Sequence, residues 1–263
     1  GDNASSISAF TPYSISVFFK LFGVNDFSVV ATSFFYFLLS LVFVYLLTNK
    51  LFKEKLTAFL ATCAVGFNSS LIGHATSGGS ESPFIFELLA STYFISLKKG
   101  WANVVTVILL VLIYFTKPQA IIYIFGLLIY FFLTNFQTKK ALIFSFLTII
   151  SGTVLYFLFS KQGLVAVNQN VAADALRGST SSFNLIFTMK KVFYNLYNFY
   201  KALPEIVNPY LFALFAIGIF RKFSKFKMFV IFTVLATFVI TALTIPFYRY
   251  LHPVTPFIYI IAV

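Results

Sequence analysis

Apolar runs recur along the whole of this chain, and they limit its fold more than any other feature. They fall at about 27–49, 56–73, 83–97, 101–116, 119–135, 140–160, 204–220, 228–246 and from 253 onward. A helix crosses about 30 Å of hydrocarbon with roughly 20 residues, so runs of this length at this density predict a polytopic helical membrane protein. Composition agrees: 60% of residues are hydrophobic and only 10% charged, against about 25% charged in a soluble domain. The expected fold class is all-α, a transmembrane helical bundle. Its 263 residues form a single transmembrane domain. The chain does not begin with Met and stops inside the run "FIYIIAV", so a window from a longer protein, incomplete at both ends, is expected.

The net charge of +12 resembles a nucleic-acid signal, but no RNA- or DNA-binding pattern accompanies it. Loop lysines that set orientation explain it better. If the runs cross alternately, Lys50, Lys53, Lys55, Lys98, Lys99, Lys139, Lys140, Arg221, Lys222, Lys225 and Lys227 fall on one side. Only Lys20, Lys117 and Arg249 fall in short segments on the other. The positive-inside rule makes the first side cytoplasmic. The alternation requires residues 101–135 to form two segments, because a single 35-residue helix would be about 50 Å long. Pro118 supplies the break by disfavouring helical geometry at Lys117. Asp2, Asp26, Glu81, Glu87, Asp174 and Glu205 also fall outside or in outward-facing halves. Chemistry is therefore expected at the outer face.

The stretch "PYSISVFFKLFG", Pro12 to Gly23, has apolar residues at helical spacing and suits a helix lying in the interface. The segment 161–203 reads as an outer loop. Its first half is polar, and its second half, "FNLIFTMKKVFYNLYNFYKALPEI", is a surface amphipathic helix that either covers a pocket or is inert. The single cysteine, Cys63, allows no internal disulfide. There is no Cys/His metal cluster, no Gly-rich phosphate loop and no Ser-His-Asp order.

Four places are candidates for chemistry. Ser82-Pro83 reads as a helix start, with Glu81 just outside it, either a solvated carboxylate or a group facing an outer pocket. Glu87 lies a turn into the span, where an ionisable group is either functional or hydrogen-bonded into the structure, with Ser91 a turn further on the same face. His74 is a candidate base in the same polar segment. Lys117 either snorkels to the interface or binds an anion at the helix break, where the next helix presents free N–H groups. In "PFYRYLHP", Arg249 either grips a phosphate or anchors an aromatic belt with Tyr248, Tyr250 and His252. Asn3 and Asn68 match the glycosylation pattern, which is too common to use.

Several stretches, in order, resemble the GT-C membrane glycosyltransferases, in the branch of the protein O-mannosyltransferases and the lipid A aminoarabinose transferase. They are "TPYSISVFFKLFGVNDFS", "YLLTNKLFKEK", "ESPFIFELLASTYF", "FTKPQ" and "RYLHPVTPFIYII". The resemblance implies an outer-face pocket for a polyprenyl-phosphate sugar, with undecaprenyl or dolichyl as the lipid. It implies Lys117 and Arg249 at the lipid phosphate, Glu81 as a supporting acidic residue near donor or acceptor, and His74, Glu87, Tyr248 and Tyr250 around the pocket. The catalytic base is expected before residue 1. Transfer would run to a glycan, lipid or protein acceptor, with inversion and without a further cofactor. The membrane would be a bacterial inner, archaeal or endoplasmic reticulum membrane. The family's Arg after "lfG" has no counterpart at Val29 to Ala31, and its proline pair is reduced to Pro12. An O-antigen polymerase or ligase and a transporter are the alternative readings. The transporter reading would pair Glu87 with Lys117 near the midplane.

Overall fold

The computed structural model describes residues 10–117, 120–135, 185–221, 224–243 and 248–263; the side chains of 185–189, 191, 199, 202, 240–243 and 248–250 fall outside that description. All regular structure among the described residues is helical. The elements are α1 (Phe10–Phe22), α2 (Asp26–Phe52), α3 (Lys55–Gly66), α4 (Ser69–Thr76), α5 (Glu81–Leu97), α6 (Gly100–Thr116), α7 (Ala120–Asn135), α8 (Leu185–Ile206), α9 (Pro209–Phe220), α10 (Lys225–Leu243), a 3-10 helix (Tyr248–Val254) and α11 (Thr255–Ala262). The expected run at 140–160 and the polar half of the segment 161–203 lie outside the described residues.

The helix α2 shows why the sequence folds this way. The Asn25 side chain caps its first turn by accepting from Ser28 N–H at 2.8 Å. Its buried face is mostly small and polar, with Ser28, Thr32, Ser33, Ser40 and Thr48 beside Phe37, Val44 and Leu47, while Phe27, Phe34, Phe35, Leu38 and Val42 are exposed. The hydroxyls of Thr32, Ser40 and Thr48 donate to carbonyls one turn back, so burial leaves them satisfied. Small residues where helices meet and large apolar residues on the exposed face are the arrangement lipid selects.

Of the described helices, α2 alone is long and apolar enough to cross a membrane; α3 and α4, bent by 61° at their junction, make a second if counted as one span. The expected single run at 56–73 is thus broken. Asn68 breaks it by capping α4, its side chain accepting from Leu71 N–H at 2.8 Å. The Asn68 amide also donates to the Ile206 carbonyl and the Tyr259 hydroxyl, so this buried asparagine is committed to the core. Residues 101–135 form two helices, α6 ending at Thr116 and α7 starting at Ala120.

The central helix is α5. It packs between α2 and α6 and also meets α4, α7 and the 3-10 helix. Nearly every residue from Glu81 to Thr92 is buried, including Glu81, Ser82, Glu87, Ser91 and Thr92. Its other face contributes Phe84, Leu88 and Leu89 to a core shared with Tyr123, Phe131, Phe229 and Phe257. The Phe229 and Phe257 rings meet edge to face at 5.6 Å, a favoured aromatic arrangement. The amphipathic α8 exposes Phe193, Tyr194, Tyr197 and Tyr200 and rests on α10 and the 3-10 helix.

The charges separate along the bundle. Five cations from the lysine-rich set, Lys50, Lys98, Arg221, Lys225 and Lys227, line one cavity of about 800 Å³. Lys50, Lys98 and Arg221 stand at the carboxyl ends of α2, α5 and α9, and Lys225 and Lys227 at the amino end of α10. Glu81, Lys117 and the histidines gather at the opposite ends of their helices.

Candidate active site

The α6–α7 break carries Lys117. Its backbone is extended, at φ −150° and ψ 142°, as expected of a residue before proline. Lys117 N–H donates to the Ile113 carbonyl, and its own carbonyl accepts from Ala120 N–H at 3.0 Å. Hydrogen bonding thus continues across the break, and the side chain is directed inward. Lys117 is buried, which removes the snorkelling reading. Its ammonium donates to Glu81 Oε1 at 2.7 Å, forming an ion pair in which both side chains are 9% exposed. The ammonium also lies 5.8 Å from the centre of the Phe84 ring, a cation–π distance.

Glu81 arrives at this pair by a different route from the one expected. The helix α5 begins at Glu81, with Ser80 as N-cap, rather than at Pro83. Proline tolerates any position in the first turn, where its missing N–H would be unpaired in any case. Glu81 is therefore a first-turn carboxylate, favoured by the helix dipole. The preceding loop is fixed by Ser33, whose hydroxyl donates to the Gly79 carbonyl at 3.2 Å. Gly78 adopts φ +71°, and a β-carbon there would stand 2.4 Å from Val29, so only glycine fits.

Behind the pair stand both histidines of the chain. The rings of His74 and His252 meet edge to face at 4.3 Å, and Ser70 Oγ lies 3.4 Å from His252 Nδ1. His252 is buried, so it is not a belt residue, and the 3-10 helix carries it against α4 and α5. Burial, then the charges of His74 and Lys117, push His252 down to about 4, against an opposing pull from Glu81. Burial alone would raise the Glu81 carboxyl. The Lys117 charge and hydrogen bond, with a smaller contribution from His74, outweigh it and hold Glu81 below the ordinary carboxylate value. At neutral pH the cluster therefore contains an anionic Glu81 and a neutral His252.

Glu87 lies deeper on α5 and is fully buried. It pairs with Thr116 at 2.9 Å, while Lys117 pairs with Glu81. Among the described residues the ion pair of Lys117 is with Glu81 and none is made with Glu87, the partner of the transporter reading. Tyr248, Arg249 and Tyr250 belong to the 3-10 helix, and their side chains lie outside the described residues. Among the described residues, no group of three His, Cys, Asp or Glu side chains is placed to hold a metal ion.

Residues 8–162 match the family model of the dolichyl-phosphate-mannose-protein mannosyltransferases. That stretch is more than half of the 263 residues. The chain belongs to this family. It is a family of membrane glycosyltransferases of the GT-C type. No curated protein and no solved structure matches the chain. The matched stretch of this mannosyltransferase-family chain contains His74, Glu81, Glu87 and Lys117, while His252 and Arg249 lie beyond it.

Sequence reasoning singled out Glu81, Lys117 and His74 but did not pair Glu81 with Lys117; the one pairing it offered Lys117 was Glu87. It missed Ser70, Thr116 and the inward position of His252. Ser70 and His252 are 182 positions apart, and no local pattern connects them. The scarcity of histidine was the one available signal.

Proposed function

We propose that this chain is the membrane-embedded part of a glycosyltransferase that moves a sugar from a polyprenyl-phosphate donor to an acceptor on the outer face. The observation that carries the reading is the buried Lys117–Glu81 pair at the α6–α7 break, inside the stretch that matches the family. A lysine held in a water-poor site is a strong partner for a phosphate. Glu81 keeps it charged and oriented before the donor arrives. The exposed apolar face of α2 and the separation of charges support a polytopic arrangement, with the basic cavity cytoplasmic and the Lys117 cluster outside.

In the reaction, the acceptor hydroxyl or amine attacks the anomeric carbon with inversion. A new bond forms there as the bond to the phosphate oxygen breaks, and the lipid phosphate leaves with the electron pair. The acceptor proton passes to a carboxylate base. Lys117, with Arg249, stabilises the charge that grows on the leaving phosphate. Holding donor and acceptor together lowers the entropic part of the barrier.

The test is transfer of labelled sugar from a polyprenyl-phosphate donor by the full-length protein. Lys117→Ala and Arg249→Ala abolish transfer while expression in the membrane holds. Normal transfer by both variants would overturn the phosphate site.

A further inference from the structure

Glu87 lies outside the Lys117–Glu81 ion pair, yet it is fully buried in the middle of α5. Its Oε1 lies 2.9 Å from Thr116 Oγ1. The same hydroxyl lies 2.9 Å from the Leu112 carbonyl. Threonine has one hydroxyl proton, so an ionised Glu87 would have to share it with the Leu112 carbonyl in a bifurcated bond. A protonated Glu87 that donates to Thr116 gives each contact a proton of its own.

The surroundings of the carboxyl support this proton count. Among the described residues, Glu87 Oε2 has no hydrogen-bond partner, nor has Ser91 Oγ one turn further along α5. No ion pair to Glu87 is made among the described residues. Tyr36 of α2 lies near enough to feel the Glu87 carboxyl, but a phenol brings no positive charge. An ionised carboxylate here would be buried with a single hydrogen bond, a far costlier arrangement than a neutral acid with one unpaired carbonyl.

Thr116 is the last residue of α6, and Lys117 follows it directly. We propose that Glu87 is a neutral carboxylic acid that acts as a positioning residue, its O–H holding Thr116 and so fixing the point at which Lys117 leaves α6 for the phosphate. Its effect on transfer rests on the function proposed above; its protonation does not.

The experiment uses the full-length protein in lipid nanodiscs, with Glu87→Gln, Glu87→Leu and Thr116→Val. Infrared difference spectra between wild type and Glu87→Gln at neutral pH are expected to contain the carbonyl stretch of a protonated carboxylic acid. If that band is missing, the proton assignment is overturned whether or not the chain transfers sugar. The glutamine amide donates to Thr116 as the acid does, so Glu87→Gln keeps donor KM within about twofold of wild type. Glu87→Leu and Thr116→Val each raise donor KM about tenfold, the effect of losing one buried hydrogen bond. Two kinetic results would overturn the positioning role: Glu87→Gln failing as badly as Glu87→Leu, or the leucine and valine variants melting earlier with KM unchanged.

Discussion

Lys117 and Glu81 lie 36 positions apart in the chain and 2.7 Å apart in the fold, a buried ion pair made where two helices end at the same level of the bundle. Removing one member strands the other charge, which costs about 3–5 kcal/mol, whereas removing both leaves no buried charge. Lys117→Met and Glu81→Gln should each lower the thermal unfolding midpoint, and the double variant should recover most of the loss. The double variant should still fail to transfer sugar, since the cation at the phosphate is gone. Additive losses in stability would show that the two charges do not depend on each other.

The cluster makes stability sensitive to acid. His252 titrates at about 4 in the folded chain and at about 6.5 when unfolded. Between those values the unfolded chain binds more protons, so stability rises with pH and is lost as pH falls from about 6.5 to 4. The full effect is about 3 kcal/mol. Glu81, held below its ordinary value, acts in the same direction at lower pH: its contribution is present above the unfolded carboxylate value and disappears as pH falls through the folded one. Unfolding midpoints measured from pH 7.5 to 4.5 should decline for wild type and flatten for His252→Asn. An equal slope in both would remove His252 from the account.

Much of this architecture is legible in the sequence, because a membrane allows few solutions. The apolar runs predict the helices, and the α6–α7 break follows from Lys117 and Pro118 together with charge alternation. Glu81, Lys117 and His74 stand out because charge is rare in such a chain. What the sequence leaves hidden is mainly pairing. Glu87 was a possible partner for Lys117 on depth alone, but the first turn of α5 brings Glu81 there instead. The start of α5 was misjudged because proline marks the first turn of a helix without fixing its first residue. The α3–α4 bend was missed because Asn68 reads as a surface asparagine until its three partners are seen.

Those partners give a further test. The Tyr259 hydroxyl accepts from the Asn68 amide at 2.8 Å and from Asn208 N–H at 3.0 Å. One phenol thus joins the α3–α4 junction to the α8–α9 junction from its place on α11. Tyr259 is 1% exposed, so Tyr259→Phe preserves the packing while leaving one N–H of the buried Asn68 amide without its acceptor, at a cost of about 1–3 kcal/mol. Thermal unfolding of the variant measures it. An unchanged midpoint would mean that the knot contributes nothing net.

Two glycines separate backbone entropy from packing. Gly73 lies on an exposed turn of α4, and a β-carbon there meets nothing within 4 Å. Gly218 lies where α9 crosses α11, and a β-carbon there would stand 2.7 Å from the Ile261 carbonyl oxygen, a backbone atom with little freedom to withdraw. Alanine gains about 1 kcal/mol over glycine inside a helix, so Gly73→Ala should raise the unfolding midpoint. At Gly218 the same gain is opposed by a clash of about 1–3 kcal/mol. The helices must part, and the Lys227 ammonium that donates to the Gly218 carbonyl moves with them. Gly218→Ala should therefore lower the midpoint. If it stabilised the protein as Gly73→Ala does, α9 and α11 would not be in the close contact described.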